Sequence, residues 1–487
     1  MTRVIQPQSR VRFGLAQGDI TPPAGIYHRM WGAATHDRST GIHRPLAACA
    51  VALQPESQQE PPLFLIAVDH CLLREKEMND LLTTVSGAAE VPRDRLLVAF
   101  SHTHAAGLME ESRGQLPGGE LIAPYLKEVA QTVAKLVRAA RGQLEPALIS
   151  YGKGRCDLAR QRDFWDEGSK QWVCGYNPAG ASDDTVLVAR VASKTGKTLA
   201  TLVNYACHPT TLAWENTLVS PDYVGALREV VEGATQAPCV FLQGASGDLG
   251  PRHGFVGDVG VAERNGRQLA HAVLSTLEGL DPPGTAFEFA GPVVSGATLG
   301  PWRHVPVSAE VQARQASWRC QLWNLDLPYR PGLPNVEQTK ADRARWVAAE
   351  EAAKARGETI QARDARAMIE RADRLLTRLG ELPPGKTFPL PLMLWQMGDA
   401  CWLAAGGEYY QLLQTALRER FPTRPIMVVT LVNGWCPTYL PTRDSYDTGI
   451  YQESIAILAA GCLEQVIESV GEQLAVWGAE KARVSLD

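Results

Sequence analysis

Short runs of apolar residues recur along the chain and predict buried β-strands. The clearest runs are Ala47 to Leu53, Leu63 to Val68, Leu96 to Ala99, Cys239 to Gln243 and Ile426 to Val432. Two further runs, Val186 to Ala192 and Thr198 to Tyr205, are joined by a short polar turn and predict a hairpin. Leu390 to Leu403 is apolar and bounded by prolines, and it predicts more strands of the same core. The pattern therefore predicts a fold built around β-sheet.

Amphipathic segments between these runs predict helices that cover the sheet. One helix is predicted from Pro124 to Ala139, where four apolar residues share a face: Leu126, Val129, Val133 and Val137. Others are predicted from Val259 to Leu277, from Glu408 to about Arg420 and from about Tyr451 to Val470. Since strands and helices alternate along the chain, we expect an α/β fold with a mixed β-sheet core and flanking helices.

The composition changes between about residues 305 and 382. Lys, Arg, Glu, Asp and Ala dominate this segment, and apolar residues are sparse. Such a pattern is typical of solvated helices, so it predicts a charged helical insertion in the fold. A lid over a binding site or a surface for a partner is the functional alternative.

The overall composition is that of a folded protein, and it gives no general reason to expect nucleic acid or an anionic membrane as a partner. Hydrophobic residues make up 45% of the 487 residues, and the net charge of −5 gives no general attraction to polyanions. No apolar run is long enough to span a bilayer, and the N-terminus has no apolar segment typical of an export signal. The ten cysteines include no Cys-x-x-Cys pair, which is typical of reduced thiols. We expect a cytoplasmic protein, of open oligomeric state.

Polar side chains suited to chemistry follow several of the predicted strands. They are Asp69, His70, His102, His104, His208, Asp248 and Tyr439, with Glu408 at a Gly-Gly turn. In α/β sheets, ligands bind beyond the carboxyl ends of the strands, so these residues are predicted to share one pocket. Each residue alone also has an ordinary structural explanation. Asp19, for example, precedes Thr-Pro, where aspartate commonly accepts backbone hydrogen bonds in a turn.

The pair His102 and His104 lies where a predicted strand runs out into a loop. In extended backbone, residues two apart point to the same side, so the two imidazoles could share a metal ion or a substrate. Ordinary hydrogen bonding by two loop histidines is the alternative, and the pair alone does not decide between them.

Several segments resemble, in order, those of a known family. They are GDITPP (18–23), SHTHAAG (101–107), NYACHPTTL (204–212) with SPDYVG (220–225), GASGDLGP (244–251), GGEYY (406–410) and NGWCPTYLPT (433–442). The set is similar to the neutral/alkaline non-lysosomal ceramidases over about residues 13 to 470. The resemblance implies one elaborated catalytic domain over residues 1–487, with the charged helical insertion at about 305–382. It also implies that the C-terminal immunoglobulin-like domain of those ceramidases is lacking here.

The resemblance implies one zinc ion per chain and a set of four protein ligands: His102, His208, Glu408 and Tyr439. Imidazole nitrogens and carboxylate or phenol oxygens are ligands that suit Zn²⁺ and can leave a position open for water. The implied activity is hydrolysis of an amide, in a ceramide-like or smaller N-acyl substrate, by attack of metal-bound water. The expected partner is therefore a small-molecule amide or lipid-like substrate.

Further residues are candidates for catalysis and for support of the site. Asp248 is the candidate proton acceptor and His104 the candidate oxyanion stabiliser or acid, although the two roles could be exchanged. Three aspartates are predicted to bind the substrate or to support the metal ligands: Asp19, Asp69 and Asp222.

One position departs from the family pattern. Gly250 stands where the family's loop typically has a serine implicated in catalysis. We therefore expect a smaller or more soluble amide than long-chain ceramide as the substrate. Two other hypotheses stay open. The protein could be a catalytically silent binding protein that keeps the fold, or a metal-dependent ester or phosphoester hydrolase with a second ion at Asp69 or Asp222.

Overall fold

The computed structural model describes residues 2–484, and its largest sheet has eight strands. In spatial order the strands are Cys239–Gln243, Thr198–Tyr205, Thr185–Ser193, Glu145–Arg155, Gln8–Asp19, Ala47–Pro55, Leu63–Val68 and Leu96–Phe100. The outermost pair on each side is parallel, and the inner pairs are antiparallel. The mixed sheet predicted from the apolar runs is confirmed.

A second sheet of four strands packs against the first. Its strands, in spatial order, are Trp318–Pro328, Thr387–Met397, Ala400–Ala405 and Ile426–Val429. Side chains alternate between the two faces of a strand, so Val51 and Leu53 pack towards Trp395 and Trp402 of the second sheet. Ala52, which lies between them in the chain, faces the helices on the other side.

Ten α-helices lie within residues 2–484. They are α1 (Glu75–Ala89), α2 (Ile122–Gly142), α3 (Tyr223–Thr235), α4 (Val259–Glu278), α5 (Ala309–Gln315), α6 (Val336–Ala355), α7 (Thr359–Glu381), α8 (Leu412–Arg420), α9 (Tyr451–Ile455) and α10 (Cys462–Val484). Helices α1 to α4 pack on the outer face of the eight-stranded sheet, and α8 and α10 pack on the outer face of the second sheet. The core is therefore a helix, sheet, sheet, helix arrangement.

Short strands form small sheets around this core. They are Arg3–Val4, Gly41–Ile42, Ala159–Gln161, Asp163–Asp166, Gln171–Cys174, Leu218–Val219, Leu249–Pro251, Thr285–Phe289, Val293–Ser295, Ala297–Leu299, Trp302–Pro306, Glu408–Tyr409 and Tyr439–Leu440. The last two pair in parallel, with Glu408 opposite Tyr439. Residues in register in a sheet project to the same side, so this small pair sets Glu408 beside Tyr439.

The two edge strands of the large sheet approach each other. The segment that follows strand Ile426–Val429 lies between them. The Thr430 N–H donates to the carbonyl of Gln243 at 3.0 Å, and the Asn433 N–H donates to that of Val98 at 2.8 Å. The carboxyl ends of strands from both sheets thus meet at one place.

Two predicted helices have different bounds. The helix expected from Glu408 begins at Leu412, because Glu408 and Tyr409 pair as a strand first. The helix expected from Tyr451 to Val470 is divided into α9 and α10, with a non-helical segment between them. Hydrophobic periodicity predicts that a helix exists more reliably than it predicts where pairing with a distant strand interrupts it.

The charged segment from about 305 to 382 is helical in α5, α6 and α7, but Trp318–Pro328 forms a strand of the second sheet. Trp323, Leu325 and Leu327 alternate with exposed residues along this strand. The period of two is a strand signal that average composition conceals.

No helix in the described chain is long and apolar enough to cross a bilayer. All ten cysteines lie within the described residues as free thiols, and most are buried.

Candidate active site

His102 follows strand Leu96–Phe100 with its backbone held in the left-handed region, at a φ of +68°. Its N–H donates to the carbonyl of His70 at 2.9 Å, which fixes the turn. A bulky residue in this region costs about 1–3 kcal/mol, and such strain is found preferentially at functional sites. The surrounding structure therefore holds the His102 side chain in one direction.

Three buried side chains from distant parts of the chain meet here. The Nε2 atoms of His102 and His208 are 3.0 Å apart. The Oε2 atom of Glu408 lies 3.3 Å from Nε2 of His102 and 3.5 Å from Nε2 of His208. All three side chains are almost fully excluded from solvent. Their ligand atoms form a group compact enough to hold one metal ion.

The hydrogen bond at Nδ1 of each imidazole determines whether Nε2, which faces the cluster, carries a hydrogen or a lone pair. Nδ1 of His102 lies 2.7 Å from the carbonyl of Cys71, and Nδ1 of His208 lies 3.3 Å from that of Ser246. A carbonyl only accepts hydrogen bonds, so each neutral imidazole carries its hydrogen on Nδ1 and presents a lone pair at Nε2. Two lone pairs and a carboxylate oxygen then face one another.

Glu408 presents one satisfied and one unsatisfied oxygen. Its Oε1 accepts a hydrogen bond from the Trp435 indole at 2.8 Å, while its buried Oε2 has no hydrogen-bond partner among the described residues. Burial disfavours ionisation of Glu408, but the positive charge that His102 can carry and the polar contacts of the carboxylate with His102, Trp435 and Tyr439 outweigh burial and lower the pKa of Glu408. Glu408 is therefore a carboxylate whose Oε2 faces two imidazoles and can be balanced by a protonated His102 or by a cation.

The histidines differ in how readily they take a proton. Burial, followed by the charges of Arg162 and His102, lowers the pKa of His208 well below its ordinary value. Burial alone would do the same to His102, but Cys71 and Glu408 raise its pKa well above the ordinary value. The cluster therefore attracts one positive charge, which a proton on His102 or a metal cation can supply.

Tyr439 borders this cluster and is joined to Arg162. Its ring stacks beside that of His208 with centroids 6.4 Å apart, and its hydroxyl accepts a hydrogen bond from Arg162 Nη2 at 3.1 Å. Burial, and then the charge of Glu408, raises the pKa of Tyr439 well above its ordinary value. The ring of Tyr451, at the start of α9, lies 5.9 Å from that of Tyr439.

His104 lies on the solvent side of the cluster. It is partly exposed, and its Nε2 is 3.4 Å from Nε2 of His102. Burial, and then His102, lowers the pKa of His104 well below its ordinary value, so its imidazole is neutral at pH 7. Its ring lies 5.3 Å from that of Trp31, which also contacts Trp214 and Phe255. These three aromatic residues form an apolar wall beside His104.

Asp248 lies near the cluster without touching the histidines. Its Oδ1 accepts a hydrogen bond from the Gln411 N–H at 2.7 Å, and its Oδ2 accepts one from Gln411 Nε2 at 2.8 Å. Burial raises the pKa of Asp248 to about 6. The neighbouring carbonyl of Gly247 accepts two hydrogen bonds from Arg162, at 2.7 and 3.1 Å. This loop therefore orients Arg162.

Gly247 allows that loop to lie against the Glu408 strand. A Cβ at this position would come within 2.8 Å of the Glu408 carbonyl and 2.9 Å of the Tyr409 carbonyl. The Gly247 N–H instead donates to Tyr409 at 2.7 Å. A glycine is required here because the two backbones approach so closely.

The three remaining aspartates make contacts that belong to the scaffold. Asp69 pairs with Arg228 and accepts the Ala47 N–H, and Asp222 accepts the N–H groups of Tyr223 and Leu212. Asp19 is exposed and accepts the Thr21 N–H at 2.7 Å. None of the three joins the group formed by His102, His208 and Glu408.

Comparison with known proteins assigns a family to this arrangement. Residues 11–253 match the family model described as neutral/alkaline non-lysosomal ceramidase, N-terminal. The chain belongs to the neutral/alkaline non-lysosomal ceramidase family. No curated protein matches the chain in sequence. Membership in this family implies a hydrolase, as the order of the sequence motifs predicts.

Solved ceramidase structures share the fold. The neutral ceramidase from Pseudomonas aeruginosa superposes with a TM-score of 0.63 at 16% identity, over 95% of this chain and 73% of that one. A ceramidase complexed with C2 gives the same TM-score and identity, over 95% of this chain and 74% of that one. The matched family segment includes His102 and His208, whereas Glu408 and Tyr439 lie beyond it.

This ceramidase-family chain has open space at Gly250. A Cβ added there would lie 3.7 Å from both Arg162 Cδ and Thr210 Oγ1, which is ordinary contact. Steric crowding therefore does not exclude a serine from position 250. The hydroxyl of Thr210 lies next to the space that a serine side chain would enter.

Two arginines of the ceramidase-family site carry no sequence signal. Arg162 lies between two short strands, and Arg374 lies within the charged helix α7. Arg374 donates to the carbonyl of Met30, the residue before Trp31. Its positive charge is among the influences that lower the pKa of His104. An arginine on a charged helix is usually solvated, so only the tertiary structure identifies its position beside the site.

Proposed function

We propose that the protein is a zinc-dependent hydrolase that cleaves the amide of a ceramide-like or smaller N-acyl substrate. One observation carries the proposal. Three electron-rich atoms, on His102, His208 and Glu408, converge within 3.0 to 3.5 Å with no hydrogen between them in the neutral histidine tautomers. Such an arrangement is electrostatically unfavourable unless a cation or a proton lies among the three atoms.

The donor set fits zinc. Two imidazole nitrogens and one carboxylate oxygen are typical of catalytic zinc sites, and Tyr439 is the proposed fourth ligand. The carbonyls of Cys71 and Ser246 hold the two imidazoles by their Nδ1 atoms, as is usual for metal-bound histidines. We propose one zinc ion per chain. When bound, zinc would polarise the amide carbonyl and acidify a water molecule.

Residues of the chain orient the substrate and stabilise developing charge. The neutral imidazole of His104 can donate an N–H to the carbonyl oxygen as negative charge develops on it. Arg162 is held by Gly247 and Tyr439 and offers further donors on the same side. The wall of Trp31, Trp214 and Phe255 excludes water and offers an apolar surface to an acyl chain.

Asp248 remains a proposed proton acceptor. Its raised pKa, about 6, suits proton exchange near neutral pH. Its two hydrogen bonds to Gln411 favour a second role, in which it holds the loop that orients Arg162. Asp19, Asp69 and Asp222 are proposed to support the site through the scaffold alone.

The alternatives have less support. A phosphoester hydrolase with a second ion would need a free carboxylate at Asp69 or Asp222, and both carboxylates are hydrogen-bonded to the scaffold. A catalytically silent protein would have no need to retain three converging ligand atoms. We also propose a cytoplasmic location, because free thiols persist in reducing compartments.

The test combines metal dependence with a substrate panel. Protein stripped with a chelator should be inactive and should regain amidase activity with one equivalent of zinc. The panel should contain an amide, an ester and a phosphoester with the same acyl or alkyl chain. Hydrolysis of the phosphoester alone, or amidase activity that survives complete removal of zinc, would contradict the proposal.

A further inference from the structure

The inner face of helix α7 places a guanidinium beside the mouth of the site. Arg374 donates through Nη2 to the carbonyl of Met30, and the next residue, Trp31, packs on His104. The Nε–H of Arg374 is buried and has no hydrogen-bond partner among residues 2–484. Four other arginines among residues 2–484 also have a buried Nε without a partner, so it is the position of Arg374 beside the site that suggests a ligand.

Neighbouring arginines on this side of the molecule are neutralised by carboxylates. Arg74 pairs with Glu110 at 2.9 Å and with Glu381 at 3.3 Å. Arg113 pairs with Glu110 and with Glu370, each at 3.1 Å. The guanidinium groups of Arg74 and Arg113 thus have anionic partners, which offset the cost of burying a charge.

Three other arginines in this part of the molecule have no carboxylate partner among residues 2–484. Arg378 donates to the Ile455 carbonyl and packs on the Trp435 ring. Arg162 and Arg374, by contrast, lie beside the site. In the described chain neither Arg162 nor Arg374 forms an ion pair with a carboxylate. Arg162 bonds instead to the Gly247 carbonyl and the Tyr439 hydroxyl, and Arg374 to the Met30 carbonyl. A zinc ion would add more positive charge to the same pocket. Glu408 offsets part of this positive charge, and the carboxylate of an anionic substrate would offset more of it.

We infer that Arg374 is a specificity-determining residue that binds an anionic group on the amine side of the scissile amide. The substrate class is an N-acyl amino acid, whose carboxylate lies one carbon from the amide nitrogen. The inference rests on the proposed amide hydrolysis and names the substrate of that same site. It differs from ceramide hydrolysis, since ceramide carries no charge.

The mouth of the site offers a contact for each half of such a substrate. Trp31, Trp214 and Phe255 provide an apolar wall for the acyl chain. Arg374 lies at the same mouth on another element, α7, and its buried Nε–H has no hydrogen-bond partner among residues 2–484. Nε and one Nη of a guanidinium form a fork that matches two carboxylate oxygens, which a hydroxyl group cannot use fully.

The test compares two substrates that differ only in charge. N-octanoylglycine ends in a carboxylate, and N-octanoylethanolamine ends in a hydroxyl at the same distance from the amide. The zinc-loaded wild-type protein should show a kcat/KM at least about 10-fold higher for N-octanoylglycine, the scale of one hydrogen bond to a charged group. The difference should lie mainly in KM, because the contact is present before the reaction begins.

Substitution then locates the contact. Arg374→Met keeps an unbranched apolar side chain and removes the guanidinium, and it should reduce the preference for N-octanoylglycine by at least about 10-fold. Arg374→Lys restores the charge without the fork and should recover part of it. Arg371→Met is the matched control, because Arg371 is an exposed residue on the same helix, and it should leave both rates unchanged.

Binding by calorimetry separates this inference from the proposed function. If neither amide is hydrolysed, the proposed function fails. A tighter affinity of wild-type protein than of Arg374→Met for N-octanoylglycine, with no such difference for the ethanolamide, would still support recognition by Arg374. The inference is overturned if wild-type protein prefers the ethanolamide, or if Arg374→Met weakens both compounds equally.

Discussion

Glu408 and Asp69 are both buried carboxylates beyond the carboxyl ends of strands, yet their surroundings differ. Both oxygens of Asp69 are satisfied, by Arg228 at 2.9 and 3.0 Å and by the Ala47 N–H at 2.9 Å. Glu408 has one oxygen satisfied by Trp435, and the other faces two imidazoles without a hydrogen bond. A carboxylate whose partners are all supplied by the chain stabilises the fold, while one left incomplete indicates a ligand.

The largest effect is expected from a substitution of Glu408, the incomplete carboxylate of this pair. Glu408→Gln should lower zinc affinity by more than about 100-fold, because it replaces an anionic ligand by a neutral amide. The amide N–H can donate to a lone pair on His102 or His208, so the metal-free variant should be at least as stable as the metal-free wild type. Competition with a chelator measures the affinity, and thermal unfolding measures the stability. Retention of wild-type zinc affinity would remove Glu408 from the ligands.

Asp69→Asn gives the opposite pattern. It leaves the Arg228 guanidinium without its counter-charge, so the free energy of unfolding should fall by roughly 3–5 kcal/mol. Zinc content of the folded protein should stay unchanged. Denaturant unfolding at constant zinc provides the measurement, and loss of zinc without loss of stability would place Asp69 at the metal instead.

Asp248 is a third buried carboxylate, and its effect on stability is expected to depend on pH. Its pKa rises from 3.8 to about 6 on folding, so the folded state binds the proton more tightly than the unfolded state. The contribution of Asp248 to stability is therefore greatest below about pH 4 and falls as pH rises towards 6. Relative to Asp248→Asn, wild-type protein should lose on the order of 2–3 kcal/mol across this interval. If the stabilities of metal-free wild-type protein and metal-free Asp248→Asn change with pH in the same way, this prediction is contradicted.

Gly250→Ser should have the smallest effect. The space around Gly250 accommodates a Cβ at 3.7 Å, so the stability should change by less than about 1 kcal/mol. The variant should not acquire efficient long-chain ceramide hydrolysis, since a hydroxyl without a matched acyl-chain groove contributes little. Assays with long-chain and short-chain amides test this. Strong ceramide turnover by the variant would show that wild-type protein lacks only the serine hydroxyl for efficient ceramide hydrolysis.

Apolar runs predicted most of the fold because burial on both faces of a strand leaves a local record in the chain. Cys239–Gln243 and Leu63–Val68 have the predicted bounds. Trp318–Pro328 was missed because its alternation lies in a segment dominated by charge. The end of a helix and the start of a strand at Glu408 depend on pairing with Tyr439, which is thirty-one residues away in sequence and invisible locally.

The candidate site was predicted unevenly for the same reason. Histidines and acids at strand ends carry a local signal, and the structure brings His102, His104, His208, Glu408 and Tyr439 together. Asp19, Asp69 and Asp222 carry the same signal, but tertiary partners complete their hydrogen bonds. Arg162 and Arg374 have no signal, because their significance comes from the carboxylates that are lacking around them in the described structure.

Zinc content of protein purified without chelators tests the central claim most directly. Wild-type protein and the control His271→Ala, which alters an exposed histidine of α4, should each contain about one zinc per chain. His208→Ala should contain little zinc, because a remnant of three ligands binds far more weakly. Full zinc occupancy in His208→Ala would contradict the account of the site.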